Sequence, residues 1–221
     1  MSPISDRAYA AFLFDLDGTL LTSIASAERC WARWAGEHGL DVAALLPTIH
    51  GKRAIDTIRE LALPGVDPVA EAAALTQREI EDVADIDPIA GAAAFLGAIP
   101  ADRWAVVTSA PRALAAARMK AAGLPTPPMM ICSEEVENGK PAPDGYILGA
   151  RQLGFDPADC LVFEDAAAGI AAGHAAGADV LVITQTHATG APQPAERSLV
   201  NYGDVGVRLD DAGLVIEMRA K

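Results

Sequence analysis

Five short apolar segments, separated by stretches with helical periodicity, constrain the fold of this 221-residue chain most strongly. The segments are continuously apolar rather than alternating, which is typical of parallel strands covered on both faces. The intervening stretches end at Gly123, Gly154 and Gly177, as helices commonly do. This alternation predicts an α/β fold with a doubly wound parallel sheet, and residues 206–218 predict a terminal hairpin. The predicted strands are residues 10–14, 104–107, 129–132, 160–163 and 180–183.

The segment between residues 21 and 86 has a different pattern. Trp31 and Trp34 belong to a stretch with helical spacing, and residues 67–84 form a second amphipathic stretch. No strand pattern interrupts the segment, so we expect an α-helical insert between the first and second strands of the sheet. The expected division is a core of residues 1–20 and 87–221 and a helical domain of residues 21–86.

Composition and charge narrow the class of protein. A net charge of −13 argues against a nucleic-acid-binding surface, which needs a basic stripe, and means that an anionic ligand requires strong local cations. No signal-peptide pattern or apolar span of membrane length is present, which indicates a cytoplasmic protein without membrane contacts. Cys30, Cys132 and Cys160 lack metal-ligand spacing and are odd in number, so we expect buried, reduced thiols.

Acidic side chains stand at two of the predicted strand ends. Asp15 ends the first strand, Asp17 follows two residues later, and Glu164 and Asp165 follow the fourth strand. Ligands of open α/β sheets bind beyond the carboxyl ends of the strands, so these four carboxylates should converge. Two like charges about 4 Å apart repel by roughly 4 kcal/mol at an effective dielectric of about 20, which one lysine cannot offset for the whole group. Because the cluster offers only oxygen ligands, it favours bound Mg²⁺.

Other groups on the same edge of the sheet suit phosphate. Thr108 and Ser109 end the second strand ahead of a helix that begins near Pro111, where free backbone N–H groups and the helix dipole attract an anion. Lys140, in the sequence GKPAPD, adds a full positive charge. Together with Mg²⁺, these local groups can bind an anion although the net charge of the chain is negative. The edge therefore predicts a small phosphorylated molecule as the ligand.

The two aspartates of FLFDLDGTLL predict chemistry on that phosphate. With metal assistance, a carboxylate can accept a phosphoryl group and form an aspartyl-phosphate. Residues two apart on an extended segment share a face, so Asp17 could protonate the leaving alkoxide and later deprotonate the attacking water. Gly18 permits the tight turn that returns both groups to the pocket.

Four motifs in order resemble those of a known family. DLDGTL, the Thr108 hydroxyl, GKPAPDGY and FEDAAAG look like the motifs of the haloacid dehalogenase-like phosphohydrolase superfamily and span most of the chain. The helical insert makes the chain similar to the β-phosphoglucomutase-like subfamily. VVTSA, IHGK and the terminal hairpin look most like bacterial sugar or hexitol phosphatases. The resemblance implies a Rossmann-like core with an α-helical cap.

The resemblance also implies a role for each motif residue. Asp15 is the expected nucleophile and Asp17 the expected general acid/base, while Thr108 and Lys140 would bind the transferring phosphate. Dehalogenases and phosphonatases of this family lack an aspartate at the Asp17 position, which disfavours both of these activities here. The implied Mg²⁺ ligands are Asp15, the backbone carbonyl of Asp17, and Asp165, with Glu164 as a nearby outer-sphere or alternate ligand.

The loop HGKR at residues 50–53 is the candidate for substrate selection. Gly51, Lys52 and Arg53 could fold over the site and bind substrate; a helix-connecting loop with solvated charges is the alternative. We expect a monomeric Mg²⁺-dependent phosphatase whose partner is a small-molecule phosphomonoester, a sugar or sugar-alcohol phosphate.

Three other functions use parts of the same pattern or would leave it unused. A β-phosphoglucomutase-type mutase would share every one of these catalytic residues, and would differ in whether water or the sugar attacks the phospho-aspartate. A signalling receiver domain also uses an aspartate, a hydroxyl, a lysine and Mg²⁺ on a parallel sheet, but it carries no cap and is much shorter. The intact acid pair argues against a catalytically silent binding protein.

Overall fold

A six-stranded parallel sheet forms the centre of the molecule. The computed structural model describes residues 7–187 and 197–219. The strands are β1 (Ala11–Phe14), β2 (Leu21–Thr22), β3 (Asp87–Pro88), β4 (Trp104–Val107), β5 (Met130–Ile131), β6 (Cys160–Glu164), β7 (Asp179–Ile183), β8 (Ser198–Leu199), β9 (Val205–Asp210) and β10 (Gly213–Met218). The sheet order is β5–β4–β1–β6–β7–β8, so β1 lies in the interior between β4 and β6.

Both faces of this sheet are buried. Phe12, Phe14 and Phe163 belong to a hydrophobic cluster on one face, whereas Leu13 and Val162 belong to a cluster on the other. Because successive side chains of a strand point to opposite faces, a strand covered on both sides must be apolar at every position. This explains the continuous apolar segments and confirms the predicted α/β fold class.

Within the described residues, four helices lie in the insert and four cover the two faces of the sheet. They are α1 (Ile24–Glu37), α2 (Val42–Ile49), α3 (Ala54–Leu61), α4 (Pro68–Glu81), α5 (Ala92–Gly97), α6 (Arg112–Ala121), α7 (Asp144–Gln152) and α8 (Ala167–Ala175). Helices α5 and α6 pack on the face that carries Phe12, and α7 and α8 pack on the face that carries Leu13. The predicted terminating glycines, Gly123, Gly154 and Gly177, follow α6, α7 and α8.

The insert occupies the chain between β2 and β3. These two strands pair antiparallel, with Leu21 opposite Pro88, so the two ends of the insert lie side by side. Helices α1 to α4 share a hydrophobic cluster of their own that includes Trp31 and Trp34. The helices expected around Trp31 and within residues 67–84 are α1 and α4, whereas α2 and α3 were not predicted individually. The division into residues 1–20 and 87–221 and residues 21–86 stays a prediction.

The sequence pattern predicts some of the remaining elements, but β2, β3, β8 and α5 were not predicted. The terminal hairpin is present as β9 and β10. The two strands pair antiparallel, with Val205 opposite Met218 and Asp210 opposite Gly213. Strand β5 covers only part of predicted residues 129–132. Strand β8 pairs parallel with β7 and lies at one edge of the sheet.

Two expectations from composition can be compared with the fold. Cys30, Cys132 and Cys160 are buried free thiols, as predicted. Within residues 7–187 and 197–219, no helix has both the length and the apolarity needed to cross a membrane.

Candidate active site

Asp15 and Lys140 form a buried ion pair at the carboxyl end of β1. Asp15 follows the strand directly, and its backbone N–H donates to the carbonyl of Phe163 at 2.9 Å, which continues the pairing with β6. Lys140 Nζ donates to Asp15 Oδ1 at 2.5 Å and to the carbonyl of Val107 at 3.1 Å. The fold therefore brings these two predicted residues together from distant parts of the chain.

Glu164 is fully buried, and its two oxygens accept four hydrogen bonds. Oε1 accepts from Lys140 Nζ at 2.6 Å and from the Tyr146 hydroxyl at 2.8 Å. Oε2 accepts from the backbone N–H groups of Asp165 and Ala166 at 3.0 and 3.2 Å. A carboxylate with all these donors has little capacity left for a direct metal bond. This geometry favours the outer-sphere role for Glu164 over that of an alternate ligand.

Asp165 lies against the turn that follows Asp15. Gly18 has a φ of +91°, and a Cβ at this position would lie 1.9 Å from Asp165 Oδ2, so no side chain fits there. Thr19 Oγ1 donates to Asp165 Oδ1 at 3.4 Å. Carboxylate oxygens of Asp15, Glu164 and Asp165 lie within 4.8 Å of one another. This all-oxygen donor set fits a hard divalent cation such as Mg²⁺.

The crowding of charges shifts the protonation equilibria. Burial, reinforced by the charge of Glu164, raises the pKa of Asp15 to about 7, although Lys140 acts to lower it. Burial, together with the charges of Glu164 and Asp15, raises the pKa of Asp165 well above its usual value. Burial alone would lower the pKa of Lys140, but Asp15 and Glu164 outweigh it and the net shift is upward. Lys140 is therefore charged, and the cluster has a deficit of positive charge that a metal ion would offset.

Asp17 is held by two donors that the sequence analysis missed. Ser23 Oγ and Arg118 Nη1 both donate to Asp17 Oδ1, at 2.6 and 2.9 Å. Arg118, on α6, also donates through Nη2 to Glu79 Oε2 on α4 at 3.1 Å. Burial raises the pKa of Glu79 to about 7, against the opposing effect of Arg118. The role of the Asp17 backbone carbonyl as a metal ligand stays a prediction.

Thr108 and Ser109 follow β4 on the same edge of the sheet. Thr108 Oγ1 accepts the backbone N–H of Ala110 at 3.0 Å, which leaves its own hydroxyl proton free to donate. Ser109 Oγ donates to the carbonyl of Gly51 at 2.9 Å. Ser109 therefore links the core to the loop of the insert at residues 50–53.

The N-terminus of α6 differs from the sequence expectation. The backbone N–H of Arg112 donates to both carboxylate oxygens of Glu134, at 3.0 and 3.2 Å. An anion of the protein itself already occupies this donor, so the prediction of a free helix N-terminus for phosphate is wrong at Arg112. The Thr108 hydroxyl and Lys140 remain as predicted phosphate donors, whereas the Ser109 hydroxyl already donates to the carbonyl of Gly51.

Part of the loop at residues 50–53 lines a cavity at the site. Gly51 and Lys52 line a cavity of about 90 Å³ together with Asp15 and Asp17, and other lining residues come from both the insert and the core. Lys52 Nζ lies 2.9 Å from Glu60 Oε2, an exposed pair. The cavity is thus bounded by the insert on one side and by the predicted catalytic residues on the other.

Arg53 is engaged by protein groups. Its guanidinium pairs with Asp56 at 2.5 Å and donates to the carbonyls of Val136 and Glu137, each at 3.1 Å. It lines a second, smaller cavity that includes Lys140 rather than the cavity at Asp17. Arg53 therefore ties the insert to the segment that precedes Lys140. Substrate binding by Gly51, Lys52 and Arg53 stays a prediction.

The positions of Arg118 and Glu79 on the apolar faces of their helices are visible in the sequence. Arg118 shares the buried face of α6 with Leu114 and Ala115, and Glu79 lies one turn after the buried Leu75 of α4. A charge on the apolar stripe of a helix requires a partner, because an unpaired buried charge is costly. The pattern predicts a buried ion pair for each residue, but it does not identify the partner.

Comparisons with known proteins agree with this geometry. A family model described as haloacid dehalogenase-like hydrolase matches residues 9–177. Hexitol phosphatase A from Escherichia coli (strain K12) is 44% identical over 179 residues, which cover 78% of this chain and 82% of the relative. Fructose-1-phosphate phosphatase YqaB from the same organism is 32% identical over 183 residues, covering 78% and 95%. The structure of β-phosphoglucomutase from Clostridium difficile gives a TM-score of 0.74 at 18% identity, covering 88% and 92%, and shows similarity of fold alone.

Proposed function

Because the chain belongs to the haloacid dehalogenase-like hydrolases, we propose that it is a Mg²⁺-dependent phosphatase of small sugar or sugar-alcohol phosphates, acting through an aspartyl-phosphate on Asp15. The substrate class is supported by two of the relatives, a hexitol phosphatase and a fructose-1-phosphate phosphatase. The observation that carries the chemistry is the cluster of Asp15, Lys140 and Asp165 with Asp17 beside it, at one edge of the sheet.

Asp15 forms the new bond in the first half of the reaction. Its carboxylate attacks phosphorus, the ester P–O bond breaks, and the phosphoryl group is transferred to the Asp15 oxygen. Lys140 and the Thr108 hydroxyl stabilise charge on the non-bridging oxygens. When bound by Asp15 and Asp165, Mg²⁺ would offset the negative charge of the phosphate and of the carboxylates.

Asp17 moves the protons. In the first half it gives a proton to the oxygen of the leaving alcohol, and in the second half it takes a proton from the water that hydrolyses the aspartyl-phosphate. Residues 21–86 act as a cap that limits the access of bulk water to the cavity. The contacts of Ser109 with Gly51 and of Arg53 with the core support this role.

A panel of phosphomonoesters with colorimetric detection of phosphate tests the function. We expect release from hexitol and hexose phosphates, and Asp15→Asn should abolish it because an amide oxygen cannot form the phosphoryl-enzyme. Asp102→Asn, at an exposed aspartate far from the cluster in the fold, is the matched control. Normal turnover by Asp15→Asn, or no phosphate release by the parent protein with Mg²⁺, would overturn the proposal. Isomerisation of a sugar phosphate without release would identify a mutase instead. The expected monomeric state can be checked by size-exclusion chromatography.

A further inference from the structure

Arg118 is a buried cation between the proposed general acid and the insert. Its side chain is 5% exposed, although α6 belongs to the core and α4, which carries Glu79, belongs to the insert. One terminal nitrogen binds Asp17 and the other binds Glu79. Among the described residues, no hydrogen-bond partner is present for Arg118 Nε. The guanidinium is therefore fixed by two carboxylates, one on each side of the boundary between core and insert.

The two oxygens of Asp17 have different surroundings. Ser23 and Arg118 both donate to Oδ1, and Oδ2 accepts no hydrogen bond from any described residue. A protonated carboxyl group carries its proton on one oxygen, while the other accepts hydrogen bonds. Two donors on Oδ1 therefore assign the transferable proton to Oδ2. Asp17 lines the same cavity as Asp15, where the leaving oxygen must lie.

We propose that Arg118 is a positioning residue for Asp17, held in place by Glu79 of the insert, and that it directs the proton-bearing Oδ2 toward the leaving group. This inference rests on the proposed function and deepens it. In the step concerned, the Asp15–phosphorus bond forms, the ester P–O bond breaks, and the proton on Asp17 Oδ2 passes to the released alkoxide oxygen. Arg118 itself exchanges no proton and touches no reacting atom.

Dependence on the leaving group distinguishes positioning from a structural role. An alkoxide leaving group needs the proton of Asp17, whereas 4-nitrophenolate departs without one. The ratio kcat/KM reports the steps up to the first irreversible one, so it isolates phosphoryl transfer to Asp15 from later hydrolysis. General acid catalysis contributes about 10²–10⁴-fold, and that contribution should fall only for the alkyl substrate.

The variants are Arg118→Ala, Arg118→Lys and Glu79→Gln, with Lys120→Ala as the matched control. Lys120 is an exposed cation on the same helix, so its removal changes charge without touching Asp17. The substrates are sorbitol 6-phosphate and 4-nitrophenyl phosphate, both with Mg²⁺ in excess. We expect Arg118→Ala to lose roughly 30-fold or more in kcat/KM for the alkyl phosphate and less than about threefold for the aryl phosphate. Arg118→Lys and Glu79→Gln should show the same selectivity with smaller losses.

Chemical rescue gives a second measurement. Guanidinium chloride at a non-denaturing concentration should restore part of the alkyl phosphatase activity of Arg118→Ala, and potassium chloride at equal ionic strength should not. Equal losses for both substrates, or no loss for either, would refute the positioning role. If Arg118→Ala does not fold, Arg118→Lys and Glu79→Gln decide by the same ratio. A parent protein that releases phosphate from neither substrate would instead refute the proposed function, so the two failures are distinguishable.

Discussion

Replacement of Lys140 by methionine tests how the centre of the site is held together. The ammonium lies 2.5 Å from Asp15 and 2.6 Å from Glu164, and all three side chains are less than a tenth exposed. Methionine keeps much of the apolar stem but leaves two buried carboxylates without their cation. Removing one partner of a buried ion pair costs about 3–5 kcal/mol. For a chain of this length, each kcal/mol lowers Tm by about 2–4 °C, so Tm should fall by about 6–20 °C in metal-free buffer at pH 8.

The loss should depend on pH in a defined direction. The pKa of Asp15 is raised to about 7 in the folded parent protein, and the loss of Lys140 raises it further. An acid with a raised pKa binds its proton more tightly in the folded state, so its ionisation destabilises the protein as pH rises. Below pH 7 Asp15 is protonated in both proteins, and the difference between them shrinks. Urea unfolding of Lys140→Met and the parent at pH 8 and pH 5.5 should therefore give a larger difference in the free energy of unfolding at pH 8.

Activity supplies the second measurement for Lys140→Met. Removal of a preorganised donor to developing charge reduces kcat by about 10²–10³-fold, so kcat for the alkyl phosphate should fall by this amount. Lys120→Ala is the control for the loss of a lysine at an exposed position. A difference below about 0.5 kcal/mol at pH 8, the usual size of an exposed substitution, would refute the buried-pair argument.

Two further substitutions test the setting of Glu164. A Cβ on Gly169 would lie 1.6 Å from Glu164 Oε1, so Gly169→Ala should displace the carboxylate. The expected loss in the free energy of unfolding, measured in urea, is about 1–3 kcal/mol, and kcat should fall. A variant with parental stability and kcat would contradict this packing. Tyr146→Phe removes the hydrogen bond to Glu164 Oε1 at 2.8 Å. The free energy of unfolding in the same assay should fall by about 1.5–3 kcal/mol, with little change in KM. An unchanged urea midpoint would show that this bond contributes nothing to stability.

The sheet and the order of the motifs could be predicted because each rests on a local rule. Strands buried on both faces are apolar at every position, and their carboxyl ends meet at one edge. The positions of Asp15 and Asp165 follow from those rules without knowledge of the packing, whereas Lys140 is indicated by the sequence GKPAPD. Helix α2 did not follow, because its sequence VAALLPTI is apolar around its circumference and contains Pro47, so it lacks the helical periodicity of an exposed helix.

The partners of the site residues could not be predicted, since they depend on which helix faces which. Arg118 reaches Glu79 because α6 packs against α4 of the insert. The capture of the Arg112 N–H by Glu134 likewise depends on the position of a short turn at Ser133–Glu135. Both contacts join residues that no short motif contains. Tertiary packing therefore determines the hydrogen-bond partners of the Arg118 guanidinium and of the Arg112 backbone N–H. The sequence indicates only that a buried charge and a helix N-terminus are present.

The balance of charge at the site predicts that bound Mg²⁺ strengthens the binding of phosphate. The site holds four carboxylates, of Asp15, Asp17, Glu164 and Asp165. Among the described residues, the cations that donate hydrogen bonds to them are Lys140 and Arg118, and both are already paired. Like charges about 4 Å apart repel by roughly 4 kcal/mol at an effective dielectric of about 20, and half of that corresponds to about 30-fold in affinity. Isothermal titration of inorganic phosphate should therefore give a Kd at least about 30-fold weaker in EDTA than with excess Mg²⁺, and added Mg²⁺ should restore it. Equal affinity under both conditions would show that Lys140 and the Thr108 hydroxyl hold the anion unaided, and that the carboxylates do not need a metal to admit it.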